Sequence, residues 1–222
     1  DNLVIQSLYS KCTKDNFEER LTILELMIVF YLNFHLKINI SIIPEDLEVI
    51  FIHGIFFNSS QYISLNIDKS IKYYLIAANH NFSEAQYQLG VIYYTGQYIA
   101  RDISKSIHFF TLAADQGHME AQSNLGIIYH SGEYIERDIN KAIHYFSLAA
   151  NQNHPDSQLI LGKIYYSGEY IARDINKAIH YLLLAADQNH PNSQFILGEI
   201  YYSGKYIARD INKAIHYFSL AA

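Results

Sequence analysis

Gly54, Gly90, Gly126, Gly162 and Gly198 stand 36 residues apart, and Ala78, Ala114, Ala150, Ala186 and Ala222 keep the same interval. A fixed period of this size marks an array of supersecondary units, each of which exposes an apolar face that only a neighbour can bury. The period runs over residues 47–222, so the length of 222 residues counts repeats rather than domains.

The copy SEAQYQLGVIYYTGQYIARDISKSIHFFTLAADQGH, residues 83–118, shows what one unit builds. Ala85, Leu89, Ile92 and Tyr93 fall at i, i+4, i+7 and i+8, the stripe of an amphipathic helix, here helix A. Pro155 and Pro191 open the same segment in later copies, where a proline at the first helical position loses no needed donor. Gly96 ends the pattern, and Asp102 is placed to cap a second helix, helix B. Ile103, Ile107, Phe110 and Ala114 form one face of helix B, and Ser106 and Ala113 a second, so the helix can pack on two neighbours. Gly90 in mid-helix costs about 1 kcal/mol relative to Ala. A close approach by the neighbouring helix, or by a Tyr ring from it, offsets that cost.

The order Ala85, Leu89, Gly90, Tyr93, Gly96, Asp102, Lys105, Ile107, Phe110 and the Ala113, Ala114 pair resembles the Sel1-like repeat, a helix-turn-helix unit related to tetratricopeptide repeats. The pattern recurs at 119–154, at 155–190 and, incomplete, at 191–222; a degenerate copy spans 47–82 with Ser60 for the turn glycine and Asn66 for the capping Asp. The resemblance implies an all-α, right-handed superhelical α/α solenoid. It also implies that helix A lines the concave face and that the array serves as a protein scaffold or adaptor, including in quality control at the endoplasmic reticulum. One departure recurs: Tyr98, Tyr134, Tyr170 and Tyr206 replace the second glycine of the family's turn. A Tyr at φ > 0 would be strained, so the turn is expected to be remodelled with each ring over the next repeat, forming a ladder.

Residues 1–46 fall out of register and read as a helical cap or the tail of a preceding domain, with Asp15 and Glu18 starting a helix that extends to Lys37. Within it, Leu21–Leu36 is interrupted by Glu25 and is shorter than about 20 clean apolar residues, so a buried helix is expected over a membrane span. The chain begins at Asp1 and stops in mid-repeat, as a fragment would. A net charge of −6 lacks the basic excess that a nucleic-acid groove uses. A single cysteine, Cys12, suits a reducing compartment.

Chemistry finds little support. His108, His144, His180 and His216 recur on the expected solvent side of helix B, and His118, His154 and His190 in the following turn. Stacked helices hold equivalent side chains about 8–10 Å apart, too far for a shared zinc with ligands at about 2 Å. Arg101, Arg137, Arg173 and Arg209 alternate with aspartates as a charge-balanced edge. Gly162–Lys163 lacks a phosphate-binding loop, and no nucleophile lies beside a base. No enzyme, cofactor or metal is therefore expected. An array that targets an enzymatic domain outside this sequence, such as a kinase, is the alternative, with a weak hydrolase well behind.

Copies that otherwise coincide differ on helix A: Tyr87, Ser123, Leu159 and Phe195 at one position, Gln88, Asn124, Ile160 and Ile196 at the next, and Val91, Ile127, Lys163 and Glu199 at a third. These positions lie on one side of a helix. Leu159, Ile160, Phe195 and Ile196, bordered by Lys163 and Glu199, are read as an exposed apolar patch for a protein partner, with Tyr87 and Gln88 extending it.

Overall fold

The computed structural model describes residues 67–222, and all regular structure among them is helical. The expected cap at 1–46, Cys12 and most of the degenerate copy lie outside the described residues. Among the described residues, no helix is long and apolar enough to cross a membrane.

Two compact units divide after Asp102. In the first, α1 (Ile67–Asn79) packs on α2 (Ser83–Thr95). The second holds α3 (Ile103–Asp115), α4 (Met119–Ser131), α5 (Ile139–Asn151), α6 (Pro155–Ser167), α7 (Ile175–Ala186), α8 (Pro191–Ser203) and α9 (Ile211–Leu220). Each of these packs on the helix before and after it within the unit, which makes an all-α solenoid of helix-turn-helix repeats. Even-numbered helices are type A and odd-numbered ones type B. α5 and α7 use both of their faces, as the two-sided pattern of helix B requires.

The chain writes the ends of each helix. Asp138, Asp174 and Asp210 accept the backbone N–H of Lys141, Lys177 and Lys213 at 2.9–3.0 Å, which caps α5, α7 and α9. Each A helix ends on a left-handed glycine: Gly132, Gly168 and Gly204 have φ of 65°, 65° and 62°. A Cβ on Gly204 would also lie 2.7 Å from Cβ of Arg209. The turn back from B to A needs a left-handed residue too, supplied by Asn81, Gly117, Asn153 and Asn189.

Histidine opens the three A helices of the second unit. His118, His154 and His190 precede α4, α6 and α8, and their Nδ1 atoms accept the N–H of Ala121, Ser157 and Ser193 at 3.4, 3.1 and 3.4 Å. These rings cap helices, a role their recurrence in the turn did not reveal. His154→Ala is expected to lower stability by about 1 kcal/mol, and His154→Asn to lower it less, because asparagine caps as well. Urea denaturation of the three proteins measures the order.

The mid-helix glycines lie at close crossings, as expected. A Cβ on Gly126 would sit 2.5 Å from the Phe146 ring, one on Gly162 2.6 Å from Leu182 Cγ, and one on Gly198 2.6 Å from the Phe218 ring. The group that fills the gap is a Phe or Leu of the following B helix, not a Tyr. Phe146 and Leu182 are fully buried, and each anchors a cluster that continues into the next repeat: Phe146 with Leu161 and Ile164, Leu182 with Leu197 and Ile200.

A buried amide ties each A helix to the preceding B helix. Gln86, Gln122, Gln158 and Gln194 donate to the carbonyls of Ala78, Ala114, Ala150 and Ala186, each at 3.1 Å. These carbonyls lie at helix ends and also accept the backbone N–H of the left-handed residue three positions on, Asn81, Gly117, Asn153 or Asn189, at 2.9–3.0 Å. The amide oxygens of Gln122 and Gln158 in turn accept from Gln152 and Gln188 of the next turn at 2.8 Å.

Candidate functional site

Three surfaces carry the recurring polar and aromatic groups. On helix B, His108, His144, His180 and His216 are exposed, each edge-on to the adjacent ring, Phe109, Tyr145, Tyr181 or Tyr217. Among the described residues, no three His, Cys, Asp or Glu side chains converge as metal ligands would.

The turn edge differs from expectation in where its rings lie. The turn tyrosines keep negative φ, as a remodelled turn requires, since among the described residues only three asparagines and five glycines are left-handed. The rings of Tyr170 and Tyr206 reach back over the preceding repeat, not forward over the next. Tyr170 lies under the Arg137 guanidinium at 4.7 Å and accepts from its Nη1 at 2.6 Å. Tyr206 lies under Arg173 at 4.3 Å and edge-on to Tyr166 at 5.9 Å. The result is an Arg–Tyr clasp between successive turns instead of a tyrosine ladder. The residue before each ring tunes it: a hydrogen bond with Glu169 pushes the Tyr170 hydroxyl pKa up, and one with Lys205 pulls that of Tyr206 down.

The exposed arginines of this edge also bond the backbone. Arg137 and Arg173 donate to the carbonyls of Ser131 and Ser167 at 3.0 and 2.8 Å, and Arg173 and Arg209 to those of Tyr166 and Tyr202 at 2.8 and 3.0 Å. A guanidinium there satisfies the last carbonyls of helix A and complements its dipole. Stacked tyrosines do occur, within repeats: Tyr129–Tyr145, Tyr165–Tyr181 and Tyr201–Tyr217 pair at 5.8–6.0 Å, nearly parallel. Burial raises the hydroxyl pKa of Tyr145 and Tyr217.

On helix A, the three variable positions do not share one environment. Leu159 is 7% exposed and packs with Leu182 and Leu197, so it belongs to the core and not to a surface patch. Ser123, at the same position, is buried with its hydroxyl 3.2 Å from that of Ser157 on the next A helix. The reason is angular: this position directly follows the buried glutamine and faces the next repeat. Tyr87 is half-buried, while Phe195 is 50% exposed with its ring 5.6 Å from Phe218. Gln88 is half-buried and donates to Glu84 at 3.1 Å. Ile160 and Ile196 are half-buried, each leaning on a core cluster. Ile127, Lys163 and Glu199 are exposed, so the third variable position points to solvent in every copy of the second unit.

The Sel1 repeat model matches residues 54–82, 83–118, 120–154, 155–190 and 191–222, more than half of the chain. No curated protein matches the sequence. Among solved structures, a protective antigen of uropathogenic Escherichia coli strains with an SLR fold is 24% identical at a TM-score of 0.75, over 79% of this chain. This chain spans only 38% of that antigen's length. A Sel1 repeat protein from Oxalobacter formigenes is also 24% identical, at a TM-score of 0.71, over 97% of this chain and 81% of its own. At that identity the likeness establishes the fold, and the repeat model establishes the rest: this chain belongs to the Sel1 repeat family.

Proposed function

We propose that the chain is a non-catalytic scaffold whose protein partner lies across the solvent side of its A helices. Sel1 repeat proteins are generally protein-interaction scaffolds, which supports the class of function. The observation that carries the choice of face is the contrast between surfaces. Helix B repeats Asn-Lys-Ala-Ile-His at 140–144, 176–180 and 212–216, whereas the exposed helix A position changes from Ile127 to Lys163 to Glu199. A row that keeps its exposure while its chemistry changes sign can read one partner in one register. Ile160 and Ile196 beside that row supply apolar contact, and Phe195 extends it. Gln88 and Tyr87 hold the corresponding positions on α2, in the first unit.

Lys163→Glu combined with Ile127→Asn changes only exposed side chains and leaves the half-buried Ile160 in its packing role. The pair is expected to weaken capture of the partner from cell extract at least about tenfold, the scale of a lost contact hot spot, with unchanged helicity by circular dichroism. His144→Ala with His180→Ala on the other surface is expected to leave capture intact. The reverse pattern would move the binding surface to helix B.

A further inference from the structure

Helix A carries Tyr94, His130, Tyr166 and Tyr202 at one position, so one repeat has an imidazole where three others have a phenol. Tyr166 defines what the position does: it meets Tyr206 of the following turn edge-on, at 82°, while Arg173 covers the other ring. His130 makes the same contact one repeat earlier, 6.4 Å from Tyr170 at 88°. Arg137 lies over that same Tyr170 ring and bonds its hydroxyl. On α5 the imidazole meets only an apolar ring, Phe146, at 6.3 Å. The charged or titratable groups that face it are Arg137 from its own turn and Glu169 and Tyr170 from the next.

We propose that His130 makes the joint between the repeats at 119–154 and 155–190 acid-sensitive: a protonated imidazole sets a second cation beside Arg137 at the Tyr170 ring and loosens the clasp between the two turns. Burial is the main cause that holds the His130 pKa below the ordinary 6.5; Arg137 acts in the same direction and Glu169 against it. The folded state therefore favours the neutral ring. Its contribution to stability is fully present above pH 6.5 and is lost as the pH falls from there through the lower folded value, because the unfolded chain takes up the proton first. A phenol at the same position gains no charge in acid.

The test compares the full chain with His130→Tyr, which installs the side chain of the equivalent positions, and with His130→Phe, which is neutral at every pH. Urea midpoints are measured at pH 7.5 and at pH 5, and the ring resonances of His130 and Tyr170 are followed by NMR between them. The chain has 11 histidines, so the difference between proteins isolates one of them. The midpoint is expected to fall further in the parent than in either variant, with Tyr170 resonances moving in step with His130 protonation and standing still when His130 is replaced. Equal falls in all three proteins, or Tyr170 resonances indifferent to His130, would overturn the proposal.

Discussion

Phe146→Ala is expected to lower stability by about 3–5 kcal/mol, the usual cost of emptying an aromatic site in a packed core. Phe146 has no exposed surface. Its ring fills the gap over Gly126 on one side and touches Leu161 and Ile164 of the next repeat on the other, so the substitution opens a cavity that two repeats share. In an array whose units contact only their neighbours, such damage falls on an interface as well as on a unit. Phe146→Leu copies the residue found at Leu182 one repeat on, and is expected to cost less. Urea midpoints rank the three proteins, and hydrogen exchange locates the loss; an unchanged midpoint for the alanine variant would mean that the ring does not hold the joint.

Gly162→Leu is expected to lower stability by about 3 kcal/mol, at the upper end of overpacking, although leucine is the better helix former by nearly 1 kcal/mol. The first added atom would already stand 2.6 Å from Leu182 Cγ and 3.3 Å from the carbonyl oxygen of Ala178. Leu182 is fully buried and cannot swing aside, and the carbonyl belongs to a packed helix. Lys163→Leu, one residue on and exposed, controls for propensity and is expected to change stability by no more than about 0.5 kcal/mol. A raised midpoint for Gly162→Leu would place propensity above packing at this crossing.

The two substitutions probe the part of the molecule most legible in the sequence. Apolar spacing located both helices of the repeat, Asp138 and its equivalents announced a cap, and a glycine kept inside a helix announced a close neighbour. Burial of large side chains leaves a periodic trace, and caps leave a local one. What went unread was bonding across sequence distance. Gln158 reaches Ala150, Arg173 reaches Tyr166, and Tyr170 reaches Arg137 over 33 residues; each is a polar or aromatic residue whose hydropathy says nothing of its partner. Their recurrence every 36 residues was the available signal, since Gln86, Gln122, Gln158 and Gln194 recur in the same four copies as the turn glycines. The misplacement of Leu159 has a different cause: variation among copies marks exposed positions, but it also marks an interface where Ser123 and Leu159 fill the same space by different means.

The hydrogen bonds that join successive repeats also make the units interchangeable. His154 leads into Pro155 as His190 leads into Pro191, with a left-handed asparagine before each histidine. Gln152 and Gln188 donate to the equivalent buried glutamine of their own repeats, Gln122 and Gln158. Excision of residues 155–190 would join His154 to Pro191 and recreate a turn, a cap and a buried glutamine bond of the kinds already present. Length can therefore change by whole units of 36 without the invention of a new core. Such a change would shorten or extend the row read by a partner while leaving the rest of the row in register. The same ties turn recombination between copies into a source of binding variety, because a misaligned exchange between two repeats still yields a molecule that folds.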